Sequence, residues 1–331
     1  MKEIARRLGI STSTVSRAFS KPEMVRPELR DQILKMAKSL NYKPNPIARA
    51  MVRGQSELVG LVVPNIANPF FPAIVRGVED EACKHSLNVI ICNSDGRVTK
   101  EKQYLHSLRD LAVAGVILAS VSGRDPYVKE LAKQVPVVVM DRGLTGSLVS
   151  QVCVDNYGGS KAVVDHLASL GHRRLLHLAG PTGISTADDR RKGFSDQCQL
   201  RGIEFEVVQA GFGIDDGYRT MKAVWATMQE MTGVVCANDL CAYGVMAWLS
   251  EAGIRVPGEI SVTGFDDIAF SAIFRPSLTT VRQPAYAMGQ MAVRAILDAR
   301  NGRASQDPVV LTTELVVRES TAAPGLSGAN A

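Results

Sequence analysis

The chain has no CxxC pair among its six cysteines, Cys83, Cys92, Cys153, Cys198, Cys236 and Cys241, and four of them lie in apolar strand-like or helical surroundings. Buried free thiols are expected in place of disulfides or zinc. Histidine is scarce as well: His85, His106, His166, His172 and His177 are scattered without metal-ligand spacing. There is no P-loop, no GxGxxG after the first strand-like run and no GxSxG elbow. The phosphate cradles, dinucleotide turns and nucleophile elbows of many α/β enzymes are therefore missing, and neither an enzyme nor a cofactor is expected. No stretch has the apolar length of a membrane span, and the first residues lack the basic-then-apolar run of a signal peptide. A cytoplasmic protein with no membrane partner follows.

What is present is unevenly distributed. With 331 residues, 46% of them hydrophobic, the chain has the length for two or three domains with proper cores. Residues 1–56 carry 12 lysines and arginines against 4 acids, a balance of +8 within a total of +5, so the rest is −3. A basic module for a polyanion on a near-neutral body fits this asymmetry. On charge alone, an ordinary solvated surface fits it too.

Beyond residue 57 apolar runs alternate with helical periods. The runs are Leu58 to Val63, Val89 to Cys92, Gly115 to Leu118, Val135 to Met140, Leu175 to Ala179, Val207 to Ala210, Val234 to Cys236 and Ile260 to Thr263, which read as buried parallel strands. Between them lie amphipathic stretches such as Phe71, Ile74, Val75, Val78 and Ala82. Strand then helix, repeated this often, predicts a doubly wound α/β body. Two similar openings, VVPNIANPFF and LAGPTGISTADDR, divide it into two lobes. The last twelve residues are small and polar and are expected to be disordered.

The first residues read differently. Ile4, Ala5 and Leu8 recur at helical spacing, Gly9 breaks the pattern, and Ser11 can cap a second helix through Val15 and Phe19. Helix, short glycine turn, helix is a helix-turn-helix, closed by a third helix from about Glu28 to Leu40 with Leu29, Ile33 and Ala37 inward. Val15 then faces in, while Thr12, Ser13, Ser16 and Arg17 can face a major groove. Hydroxyls reach phosphates or base edges, and arginine reads guanine through two hydrogen bonds. A capped surface helix with ordinary serines and threonines is the competing reading.

In the body, polar residues fall repeatedly after strand ends: Asn68 with Phe70 and Phe71, Asp141 with Arg142, Arg190, Asn238 with Asp239, and Asp266. Ligands of doubly wound lobes sit beyond the carboxyl ends of their strands. Aromatic walls with Asp, Asn and Arg suit a sugar, whose C–H faces stack while its hydroxyls donate to carboxylates and accept from guanidiniums. Singly, each residue has a plainer role: a core phenylalanine, a surface ion pair or a helix cap.

The stretch ISTSTVSRAFS, followed by VRPELRDQILKMAKSLNYKPNPIARAM, resembles the LacI/GalR family of bacterial transcription regulators, and the likeness continues through NPFF, VDNYGGSKAVVDHLASLGHRR, AND and GFDD. It spans roughly residues 2 to 320. It implies a helix-turn-helix DNA-binding headpiece over residues 1–44, a hinge helix and linker over 45–56, and a two-lobed effector-binding and dimerisation domain over 57–331, similar in fold to periplasmic binding proteins. The first lobe is placed at about 57–155 and 284–308, the second at about 156–283 and 309–320. Thr12, Ser13 and Arg17 match the family's base-reading positions, with Ser11, Thr14 and Ser16 available to phosphates. Pro46 to Val52 match the hinge helix, in which Ala48 and Met51 are assigned to DNA, Met51 standing where most members place a leucine that enters the minor groove. Members usually carry residues and a Ser or Thr cap before the first helix. Here the helix opens almost at Met1, so either the cap is absent or the start codon lies upstream.

The cleft motifs are also similar to those of ribose-binding periplasmic proteins. Matched residue by residue, they imply an effector set of Asn68, Phe70, Phe71, Asp141, Arg142, Arg190, Phe212, Asn238, Asp266 and Gln283. His172 in LGHRR is a turn residue typical of the family. The function so implied is a transcriptional regulator, a repressor, that binds a pseudo-palindromic operator as a homodimer and is controlled by ribose or another monosaccharide. The tail has no leucine heptads for a tetramer-forming coiled coil. Two alternatives stand beside this: a sugar-binding protein without a DNA role, and a regulator responding to a nucleoside or purine.

Overall fold

A computed structural model describes residues 1–20, 22–42, 56–122, 126–143, 149–305 and 307–325. The hinge assignments at Ala48 and Met51 lie outside the described residues. The headpiece has three helices, α1 (Lys2–Leu8), α2 (Thr12–Ser20) and α3 (Pro27–Ser39). Gly9 ends α1 in the left-handed conformation at φ 63°, which costs glycine little. Ile4, Ala5, Val15, Ala18, Val25, Ile33 and Ala37 form its small core. Met1 precedes α1 without a side-chain cap. Ser11 does cap α2, its Oγ accepting from the Thr14 amide at 3.0 Å.

In the first lobe the strands run β1 (Leu58–Val63), β2 (Asn88–Asn93), β3 (Gly115–Leu118), β4 (Val137–Met140) and β5 (Ser150–Val154), interleaved with helices α4 (Phe70–Lys84), α5 (Val98–Asp110) and α6 (Pro126–Leu131). The second lobe opens with α7 (Asn156–Ser169), β6 (Arg174–Ala179), α8 (Ser185–Arg201), β7 (Glu204–Gln209), α9 (Ile214–Val224), β8 (Gly233–Cys236), α10 (Asp239–Glu251) and β9 (Ser261–Thr263). The chain ends with β10 (Thr280–Arg282), α11 (Ala285–Arg300), β11 (Val309–Leu311) and β12 (Glu314–Val316). The first sheet has the order β11-β5-β4-β3-β1-β2 and the second β7-β6-β8-β9, and every pairing within them is parallel. Doubly wound lobes with buried, Val- and Leu-rich strands are what the apolar runs predict.

Three differences from the sequence reading have physical causes. Strand β5 was not anticipated because its burial alternates along Ser-Gln-Val-Cys-Val, so no continuous apolar run marks it. Residues 309–311, expected in the second lobe, pair with β5 and belong to the first. The chain crosses only afterwards, to the antiparallel β10–β12 pair beside the second lobe. The C-terminal residues as far as 325 are not disordered. Ser320 is buried and its amide bonds the Ser277 carbonyl at 2.9 Å. His172, also buried, lies with Nε2 3.0 Å from the Ala322 carbonyl and Nδ1 2.8 Å from Thr232 Oγ1. The histidine of the LGHRR turn therefore ties the tail to the second lobe.

Three passages join the lobes: between β5 and α7, at Gln283–Pro284, and between β11 and β12. They are stitched together, with the Asp155 amide on the Leu311 carbonyl at 3.0 Å. Helix α4 lies against α11 closely enough that a methyl group on Gly77 would stand 2.0 Å from the Tyr286 carbonyl oxygen. Gly77→Ala is expected to lower stability by about 1–3 kcal/mol through this backbone clash, although alanine is intrinsically the better helix former by about 1 kcal/mol. Denaturant midpoints measure it, and an unchanged or raised midpoint would refute the close packing.

Candidate effector cleft and DNA-facing helix

The carboxyl ends of both sheets converge on one cavity of about 540 Å³, a size suited to a small organic ligand. After β1, Asn68 turns the chain into α4: its Oδ1 accepts from the Phe70 amide and its carbonyl from the Phe71 amide, both at 3.0 Å. This seats the two phenylalanine rings edge to face, 5.3 Å apart. Both rings belong to the first lobe's core and both also line the cavity. After β4, Asp141 takes the left-handed conformation at φ 65° and its amide bonds the Val152 carbonyl. Arg142 extends from there, its Nη1 3.3 Å from the Ser120 carbonyl and its guanidinium 5.6 Å from the centre of the Phe212 ring.

The second lobe supplies the opposite wall. Arg190, buried on α8, donates from Nε to Asn156 Oδ1 and from Nη1 to the Ala237 carbonyl, each at 2.8 Å. Its guanidinium lies 3.7 Å from the Phe265 ring centre and 3.7 Å from Asp266 Oδ1. Asn238 caps α10 by accepting from the Cys241 amide at 2.9 Å, and its Nδ2 donates to the Phe212 carbonyl at 3.1 Å. Gln283, at the second lobe passage, donates from Nε2 to Asp266 Oδ1 at 2.6 Å.

Asn68, Phe70, Phe71, Asp141, Arg142, Arg190, Phe212, Asn238, Asp266 and Gln283 all line this cavity. Asp239 does not. It is fully buried and accepts from the Thr280 and Ser271 hydroxyls and the Ile268 amide, so it holds the 264–280 loop in place. Sequence reasoning missed Asp95, Thr186 and Asp216, which also line the cavity. Asp95 follows β2 at the same sheet edge as the others and was legible by that rule.

Two buried polar atoms in the wall have no hydrogen-bond partner among the described residues: Arg142 Nε, a donor, and Gln283 Oε1, an acceptor. Such atoms are costly unless something else satisfies them. A ligand carrying hydroxyls would satisfy both. Burial pushes the Asp266 carboxyl well above the ordinary carboxylate range, against the pull of Arg190. It raises Asp141 as well, against Arg142 and Arg190, and it lowers both guanidiniums. Among the described residues no group of His, Cys, Asp and Glu is placed to hold a metal, and no helix is long and apolar enough to cross a membrane.

In the headpiece, Thr12, Ser13 and Arg17 are exposed and Ser16 is half-buried on α2. Ser11 Oγ lies 2.7 Å from Ser13 Oγ and 2.8 Å from Thr14 Oγ1, so three hydroxyls form one network at the start of the helix.

A helix-turn-helix joined to a two-lobed binding fold defines a ligand-responsive regulator as a class. Residues 1–45 match the family described as bacterial regulatory proteins, lacI family, and residues 164–321 match the periplasmic binding protein-like domain. The chain is 32% identical to the ribose operon repressor of Halalkalibacterium halodurans over 97% of its own length and 96% of that protein's. It superposes on the lac repressor dimer bound to operator and the anti-inducer ONPF with a TM-score of 0.83 and 27% identity, over 97% and 98% of the two chains. A LacI family regulator from Enterococcus faecium with bound ribose gives a TM-score of 0.74 and 28% identity, over 80% of this chain and 99% of that one. The chain belongs to the lacI family of bacterial regulatory proteins.

The raised Asp141 carboxyl has a consequence for stability. Its folded form holds a proton more readily than the unfolded chain, so its contribution is whole below the ordinary carboxylate range and is lost as pH rises through the raised value. Asp141→Asn keeps the shape without that loss. The empty variant is expected to melt at or above the wild type at neutral pH, with the advantage shrinking toward about pH 4. Thermal melts across pH measure this, and a wild-type advantage growing toward neutrality would show that the arginines outweigh burial.

Proposed function

We propose that the protein is a sequence-specific, DNA-binding transcriptional repressor whose operator affinity is set by a monosaccharide, with ribose first among the candidates. The observation that carries the effector reading is the cavity in which Asp, Asn, Gln and Arg side chains from both lobes meet two phenylalanine rings, with a donor and an acceptor in its wall that have no hydrogen-bond partner among the described residues. A ring with hydroxyls on its edge and C–H groups on its faces matches that set. The ribose operon repressor relative and the ribose-bound neighbour support the same ligand.

Thr12, Ser13 and Arg17 read bases and Ser11, Thr14 and Ser16 face phosphates, with Ala48 and Met51 of the hinge in the minor groove. The repressor acts as a homodimer on a two-fold operator. Ligand bound between the lobes favours one lobe angle, and in a dimer that angle sets the spacing of the headpieces. Coupling of about 1–3 kcal/mol changes operator affinity 5- to 150-fold.

Two measurements test this. Footprinting on promoter fragments with and without ribose is expected to reveal one protected palindrome whose occupancy changes with the sugar, and protection at no site under either condition would end the proposal. Arg17→Ala should relax preference at one base pair of each half-site by about 1–3 kcal/mol, whereas Lys2→Ala should weaken all sequences evenly and lower the salt slope by about 1. An unaltered preferred sequence in the Arg17 variant would remove the base-reading assignment.

A further inference from the structure

The charges around the cleft do not balance, and the imbalance bears on the ligand's own charge. Two guanidiniums, Arg142 and Arg190, face it. Four carboxylates are buried at or just behind its walls: Glu101, Asp141, Asp239 and Asp266. Asp266 stands 3.7 Å from Arg190 and Asp141 3.9 Å from Arg142. Glu101 acts on Arg142, and Asp239 with Asp141 acts on Arg190. Each cation is already attended by more than one anion.

The rim repeats the pattern. Asp95 binds Lys100 at 2.6 Å and Arg97 at 3.2 Å, and Asp216 lies 3.7 Å from Arg219. A phosphate could otherwise use backbone amides at helix starts. Here the amide of Phe70 at the start of α4 is taken by Asn68, that of Cys241 in the first turn of α10 by Asn238, and that of Gly213 just before α9 by Asp216. Helix α8 has no side-chain cap, and Asp188 in its first turn pairs with Arg191 at 2.9 Å and accepts from the Gly183 amide at 3.0 Å.

We infer that the effector is uncharged and that its phosphate esters are excluded, because the cleft holds more buried carboxyl groups than guanidiniums and each guanidinium is already attended by carboxyl groups. This rests on the sugar reading above and deepens it. The repressor then senses the free sugar and not its activated form. A kinase would end the signal by forming a bond between the sugar oxygen and the terminal phosphorus of a nucleoside triphosphate, breaking the bridging P–O bond and releasing the diphosphate and the hydroxyl proton.

Titration calorimetry on the full chain at one fixed salt concentration tests this with matched pairs: ribose with ribose 5-phosphate, glucose with glucose 6-phosphate, adenosine with adenosine monophosphate. Within the pair that binds, the phosphorylated member is expected to be at least about a hundredfold weaker, since two added charges would be desolvated in a cleft whose guanidiniums are already engaged. Ribose 5-phosphate within about threefold of ribose would overturn the inference and leave the sugar reading standing. Binding of adenosine but neither ribose nor adenosine monophosphate would do the reverse. Glu101→Gln, which removes one buried charge from behind Arg142, should narrow the ratio by about tenfold while ribose still binds. An unchanged ratio in that folded variant would make the exclusion one of shape and not of charge.

Discussion

The structure depends on keeping titratable groups buried between its lobes. Arg190 is buried, lies over the Phe265 ring and is held from two sides by Asn156 and the Ala237 carbonyl. Its nearest carboxylate, Asp266, is tied to Gln283 at a passage between the lobes. Burying such a pair costs more than its attraction returns unless neighbouring dipoles make up the difference. The neighbours do so only in part, since among the described residues Arg142 Nε and Gln283 Oε1 have no hydrogen-bond partner. Backbone strain adds to the cost: Asp141 and Asp266 both hold positive φ, at 65° and 128°, where side chains other than glycine are disfavoured. Electrostatic and conformational stress is thus concentrated where a ligand would relieve it.

That location explains how a small molecule could act at a distance. The cavity wall is drawn from both lobes, so a ligand that satisfies it must bind one lobe angle better than another, and only differential affinity can shift an equilibrium. Three covalent passages limit the motion, and the hydrogen bond from Asp155 to Leu311 links two of them. Asp266 and Gln283 put part of the cavity wall directly onto the third. Close helix packing at Gly77 against Tyr286 makes the first lobe a rigid body about this hinge.

Much of this was legible in the sequence because it follows from periodicity. Fully buried parallel strands give continuous apolar runs, and functional side chains in such folds follow strand ends, so eight of the ten cleft residues could be collected by position, Phe212 and Gln283 coming only from the family resemblance. The failures fall where that logic lapses. Strand β5 alternates, and β11 and β12 are three residues each, too short to carry a period. The tail reads as disordered by composition, yet Ser320 and Ala322 are fixed by contacts with Ser277 and His172, which no local pattern announces. Asp239 looked like a ligand-facing residue because it neighbours Asn238. Its oxygens are instead consumed by the 264–280 loop, and only tertiary structure distinguishes the two asparagine-aspartate neighbours.

The headpiece obeys a different economy. Its core is seven small or medium apolar residues, and a domain of that size buries too little surface for a large stability margin. What it can do is order the groups that meet DNA. The Ser11, Ser13 and Thr14 hydroxyls hold one another at the start of α2, so less freedom remains to be lost when that end approaches a phosphate backbone. Arg17, two turns along and exposed, keeps its full reach. On the proposed reading, such a helix would position through its networked end and discriminate through exposed Arg17, the division of labour that phosphate and base contacts require.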